Sequence, residues 1–120
     1  MPAYNFQGRF LAAIWDGSKR QTIRRRRKRA TRSGDVLQLY AGMRTKECRL
    51  LRVVDCTSVV PIKISIRYCV VKLDGRVLSA AEEHMFARRD GFSGISEFLE
   101  FFERYPADVL ANDMEVIYWR

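Results

Sequence analysis

A small α+β fold, a short β-barrel with helices packed at one end, is the class this sequence predicts. Three observations point there. Apolar periodicity changes along the chain in the order helix, strands, two helices, strand. Turn signals, Gly34-Asp35 and Asp74-Gly75, fall between strand-like runs. The length of 120 residues with 48% hydrophobic and 12% aromatic residues suits one domain, spanning 1–120, that buries its own core.

Each element has its own justification. Phe10, Leu11, Ile14 and Trp15 recur at helical steps and Gly17 follows, so a short amphipathic helix should end on a left-handed glycine. Arg20–Arg24 reads as extended, and Arg25–Ser33 as a loop too charged to pack. Val36–Tyr40 is a strand. Glu47–Ile66 is rich in β-formers, with Pro61 as a break or edge position. Arg67–Lys72 is another strand, and Leu73-Asp74-Gly75-Arg76 a hairpin turn. Ser79-Ala80-Ala81-Glu82 has the capping-box spacing, so a helix should run from Ser79 to about Arg89. Ser93 should cap a second helix with Ile95, Phe98, Leu99 and Phe102 on its buried face, ended before Pro106. Met114–Trp119 is a last strand, apolar enough to close a small barrel.

Composition narrows the chemistry. Cysteines 48, 56 and 69 are odd in number, lack a C-x-x-C pair and lie among strand-like residues, which predicts buried free thiols in a reducing compartment. The only histidine, His84, falls inside a predicted helix and reads as a partly buried helix residue. One histidine and scattered cysteines match neither a zinc-finger spacing nor a Cys–His nucleophile, so no metal or cofactor is expected. No apolar run approaches the roughly 18 residues of a membrane span, and Met1–Asn5 does not look like a secretory signal. These features predict a cytoplasmic protein with no membrane partner.

Charge is concentrated in one place. Between Lys19 and Arg32 nine of fourteen residues are basic, and outside this window 13 basic residues face 14 acidic ones. Arg25, Arg26, Arg27, Lys28 and Arg29 suit a phosphate-bearing partner such as RNA, or simply a solvated loop. Lys19 precedes Thr22 by three residues. A lysine amid like charges has a depressed pKa and can act as a base toward a threonine hydroxyl. Residues three apart in a strand face opposite ways, so the two converge only if Lys19 sits on the turn after Gly17 or a bulge intervenes. Otherwise they are an exposed turn lysine and a strand threonine. The acidic candidates are Asp90, Glu97, Glu100, Glu82 and Glu83.

The run Gly17-Ser18-Lys19-Arg20-Gln21-Thr22-Ile23-Arg24, followed by Ser33-Gly34-Asp35-Val36-Leu37 and by Asp90-Gly91-Phe92 ahead of a helix, resembles the ASCH domain family. The resemblance spans nearly the whole chain. It implies a PUA-like barrel, and removal of the acyl group from N4-acetylcytidine or related nucleosides by a lysine, a threonine and an acidic residue. Lysine and threonine fall on Lys19 and Thr22. The acid falls on Asp90, where the family has a glutamate, or with a shifted alignment on Glu97. Arg24 and Tyr40 are the residues expected to hold base or sugar. Other family members are regarded as RNA-binding or RNA-cleaving modules, so a noncatalytic RNA-binding domain and a ribonuclease remain the alternatives.

Overall fold

The computed structural model describes residues Met1–Arg120. Seven strands and four helices follow in the order β1 (Ala3–Phe6), α1 (Leu11–Asp16), β2 (Gln21–Arg25), β3 (Val36–Ala41), β4 (Arg49–Ser65), β5 (Val70–Leu73), β6 (Arg76–Val77), α2 (Ala80–Arg89), α3 (Ile95–Phe102), α4 (Ala107–Asn112) and β7 (Met114–Trp119). The fold is α+β with one mixed seven-stranded sheet.

β4 organises that sheet. Its first half pairs antiparallel with β3, which carries β1 parallel on its other side. Its second half pairs with β7 and with β5, and β7 in turn carries β2. Seventeen residues keep one strand going because the pairing absorbs irregularities: Leu39 faces Arg52 and Tyr40 faces Leu50, so Leu51 is the extra residue of a bulge. Pro61 neither breaks β4 nor marks its edge. It lies opposite Glu115 of β7, and its carbonyl accepts the Asp74 amide.

The predicted barrel does not close. β1 and β2 form no backbone ladder with each other. Arginines of β2 and the loop after it bridge the gap: Arg24 Nη2 donates to the Asn5 carbonyl at 2.7 Å and Arg27 Nη2 to the Ala3 carbonyl at 2.6 Å. Their guanidinium carbons stand 4.8 Å from the Phe6 ring centroid and 4.0 Å from that of Tyr4. Side chains stacked in this way occupy the space where paired strands would approach to ~4.8 Å. The seam is therefore lined by side chains.

Several local expectations hold. Gly17 ends α1 at φ 83°, and its amide bonds the Ile14 carbonyl. Ser79 and Glu82 form the reciprocal capping box of α2. Asp74 and Gly75, at φ 49° and 84°, make the β5–β6 hairpin. Others need correction. Trp15 is 68% exposed, while Phe10 and Ile14 of the same stripe are buried and Leu11 packs partly against the core. The Arg67–Lys72 strand begins only at Val70, after a turn. Cys48 and Cys69 are exposed thiols on turns, and only Cys56 is buried. His84 is exposed on α2. α3 takes Gly94 as its N-cap, while Ser93, one residue earlier, bonds Glu97.

The core lies between the sheet and the helices. Phe86, Phe92, Phe98 and Phe102 tie α2 to α3, with Phe98–Phe102 centroids 4.8 Å apart and Phe92–Phe98 centroids 5.6 Å apart at 82°. α4 buries Val109 and Leu110. No helix is long and apolar enough to cross a membrane.

Candidate active site

A pocket of about 130 Å³ opens at the seam between β1 and β2. Lys19, Thr22, Arg24 and Asp90 line it, with Phe6, Phe10, Phe92, Phe101 and Tyr105 as aromatic walls and Asn5, Gln7 and Arg104 among the polar residues.

Lys19 comes from the turn between Gly17 and β2, so the opposite-face rule for strand residues does not apply to it. Its amide bonds the Ala13 carbonyl of α1, which turns the side chain inward. Only 2% of Lys19 is exposed. Asp90 is the C-cap of α2, and the sharp turn that follows places it against Lys19. That turn requires glycine. Gly91 has φ 101°, and a Cβ there would stand 2.9 Å from the Phe10 ring.

The lysine has two partners on one residue. Nζ donates to the Asp90 carbonyl at 2.5 Å and to Asp90 Oδ1 at 3.2 Å. The first contact places a cation on the carbonyl end of a helix, where the dipole favours it. Gln21 Nε2 also donates to Asp90 Oδ1, at 3.3 Å. Burial is the largest influence on both partners. It pulls the Lys19 pKa down, against the opposing pull of Asp90, and pushes that of Asp90 up, against Lys19 and Gln21. Both shifts favour the neutral forms. A proton moved from Nζ to the carboxyl leaves a free amine beside a carboxylic acid, with no net change in charge.

Thr22, buried on β2, accepts a hydrogen bond from Arg24 Nε at 3.0 Å. That leaves its own O–H proton free to donate. Arg24 is half-buried, and burial pulls its pKa down. Its ordinary value is so high that it stays a cation.

The other sequence candidates lie elsewhere. Glu97 is on the surface, paired with Arg9 and bonded to Ser93. Tyr40 is on β3 opposite Asn5 and does not line the pocket, because the neighbouring Leu39 takes the inward face and turns Tyr40 away. Within the basic run, Arg25 pairs with Asp113 at 2.7 Å and Arg27 stacks on Tyr4. The loop is anchored rather than wholly solvated: Thr31 is buried and bonds the Tyr4 hydroxyl at 2.5 Å. Arg26, Lys28 and Arg29 are exposed and carry no side-chain partner.

Sequence reasoning did not find Phe6, Gln21, Arg104 or Tyr105. Gln21 could have been found, since it sits inside the motif two residues after Lys19. Arg104 and Tyr105 fall between the end of α3 and Pro106, and no local pattern points them toward β2. Fold and site thus define a small α+β protein with a buried lysine–aspartate pair and a threonine in one aromatic pocket. No protein-family model, curated protein or solved structure matches the chain.

Proposed function

We propose that the protein is an amidohydrolase of the ASCH, PUA-like type that removes the acyl group from N4-acetylcytidine or a related N4-acylated cytosine nucleoside. The observation that carries this reading is the Lys19–Asp90 pair, buried, linked at 3.2 Å and lining the same pocket as Thr22.

The pair divides acid and base work. In its neutral form Lys19 Nζ takes the proton of Thr22 Oγ1 as that oxygen attacks the acyl carbonyl carbon. Arg24 Nε, already on the same oxygen, favours its developing negative charge. The tetrahedral intermediate collapses, the C–N bond breaks, and the Asp90 carboxyl gives its proton to the departing N4 nitrogen. Cytidine leaves and an acyl ester remains on Thr22. Water then attacks the ester carbonyl with the Asp90 carboxylate as its base. The C–O bond breaks, Lys19 returns the proton to Thr22, and the carboxylic acid leaves. Phe10 and Phe92 at the pocket wall provide apolar faces for a flat base. At about 130 Å³ the cavity falls below the ~300 Å³ of sites that enclose a whole drug-sized ligand. The acylated base enters and the ribose stays at the mouth.

Incubation of the protein with N4-acetylcytidine, followed by chromatography for cytidine, tests this reading. Release by the parent and its loss in Thr22→Val support it. No release, or equal release by the valine variant, overturns it. A second reading, a noncatalytic RNA-binding module, is favoured by one observation: Arg26, Lys28 and Arg29 stand free on the loop, and a neutral nucleoside gives them nothing to bind.

A further inference from the structure

Arg24 lines the pocket without a carboxylate partner. Its two hydrogen bonds go to neutral acceptors, the Thr22 hydroxyl and the Asn5 carbonyl. Burying a cation that way is costly unless an anion compensates it. Arg104 lies on the same wall. Its Nε donates to the Phe101 carbonyl at 3.0 Å, and its guanidinium carbon stands 4.2 Å from the Phe101 ring centroid. Those contacts fix the plane of the group and leave both terminal nitrogens unengaged. The ion pairs of the fold are Arg9–Glu97, Lys19–Asp90, Arg25–Asp113 and Arg76–Glu82, and none includes Arg24 or Arg104. Asp90 is the only acidic residue lining the pocket, against Lys19, Arg24 and Arg104. With Lys19 matched by Asp90, two arginine charges remain.

We propose that the pocket takes an anionic substrate, an acylated cytidine carrying a phosphomonoester, whose phosphate is held at the mouth by Arg104 with Arg24 behind it. This rests on the reading of the pocket as a cytosine-nucleoside site. It replaces the neutral nucleoside of that reading with its phosphate. The dimensions agree: a cavity of about 130 Å³, below the ~300 Å³ of sites that enclose a whole ligand, leaves part of a nucleotide outside, beside the exposed Arg104. Arginine forks bind a phosphate through two parallel hydrogen bonds, and both nitrogens of Arg104 needed for that are available.

Calorimetry on the full chain at low salt, with cytidine, cytidine 5′-monophosphate and inorganic phosphate as probes, tests the proposal. The monophosphate should bind at least tenfold more tightly than cytidine or inorganic phosphate. Arg104→Gln, at an exposed position where the fold is not at risk, should reduce the preference over cytidine to less than threefold. Lys28→Gln with Arg29→Gln should keep the full preference. Equal binding of cytidine and its monophosphate overturns the proposal. So does inorganic phosphate binding as tightly as the nucleotide, or a preference that survives Arg104→Gln and disappears with the loop variant. Parallel hydrolysis assays separate the two readings. A tenfold binding preference with no hydrolysis of N4-acetylcytidine or its 5′-monophosphate overturns the hydrolase and supports the anion site. Hydrolysis of both at equal kcat/KM, with equal binding of cytidine and its monophosphate, supports the hydrolase and overturns the anion site.

Discussion

Two groups of cations, only a few residues apart in sequence, have opposite surroundings. Lys19 and Arg24 line a pocket and are bonded to named atoms on other elements, while Arg26, Lys28 and Arg29 point into solvent with no side-chain partner. Composition alone cannot tell them apart. Burial moves the protonation equilibria of Lys19 and Arg24. The comparison teaches that the density of positive charge marks where cations meet solvent, whereas acid–base work depends on which cation the fold buries against a carboxylate.

Exchanging one charge from each group should produce the largest contrast. Lys19→Met leaves the buried Asp90 without its cation, and breaking such a pair costs about 3–5 kcal/mol. Lys28→Met, on the surface, should stay within about 0.5 kcal/mol. Chemical denaturation of both variants measures the difference. Lys19→Met with Asp90→Asn should recover part of the loss, since no unpaired charge then remains. A double variant less stable than Lys19→Met alone would show that the pair does not act as one unit. Turnover of N4-acetylcytidine should vanish in Lys19→Met at a temperature where the variant is folded.

The carboxylate proposed as the acid gives the next contrast. Asp90→Asn should lower the rate at least about a hundredfold, the scale of a positioned acid or base. Glu97→Gln should cost less than about tenfold, because Glu97 engages Arg9 and Ser93 on the surface. The reverse order would move the acid to Glu97. The pH profile carries the same logic. Burial lowers the Lys19 pKa, so the fraction of free amine rises with pH at values below the ordinary 10.5. The acting form also needs Asp90 protonated, so the rate should rise as the pair loses its first proton and fall again as it loses the second. Folding also favours the free amine, so the stability contributed by this group is greatest above 10.5 and is lost as pH falls toward the depressed folded value. A rate that does not fall on the alkaline side would remove Asp90 as the acid.

Much of this was legible in the sequence where the signal is local. The capping box at Ser79, the glycine end of α1 and the Asp-Gly hairpin each depend on neighbours within four residues. What stayed hidden depends on distant partners. β1 is four residues long and becomes a strand only by pairing parallel with β3. α4 has six residues and is held by packing Val109 and Leu110 into the core. The last apolar strand suggested closure, yet whether β1 meets β2 is decided by arginine side chains standing between them. Lys19 and Thr22 were visible as a motif. Their convergence with Asp90, 71 residues from Lys19, was not, because it depends on how α2 ends against α1.

Gly91 tests that last junction at a smaller scale. At φ 101° the residue occupies a region that costs a side chain energy, and an alanine Cβ would meet the Phe10 ring at 2.9 Å. Gly91→Ala should therefore destabilise the fold by more than about 1 kcal/mol. It should also lower turnover, since relief of the clash shifts Asp90 or Phe10, both of which line the pocket.

The smallest expected effect per residue belongs to the loop, and it sharpens the comparison most directly. Arg26, Lys28 and Arg29 lie outside the pocket lining, so changing each to Gln should leave nucleoside turnover within about twofold. If the loop meets RNA phosphates, each lost contact removes about 0.7–0.9 units from the slope of log affinity against log salt. Three replacements should then flatten the slope by about two to three units while the hydrolysis assay barely changes. Arg25 and Arg27 should contribute less, because Arg25 is engaged by Asp113 and Arg27 by the Ala3 carbonyl and the Tyr4 ring. Titration of fluorescent single-stranded RNA at several salt concentrations measures the slopes. An unchanged slope in the triple variant would show that the free cations of the loop do not bind phosphate, and polyanion binding would then have to be assigned to the arginines of the pocket mouth.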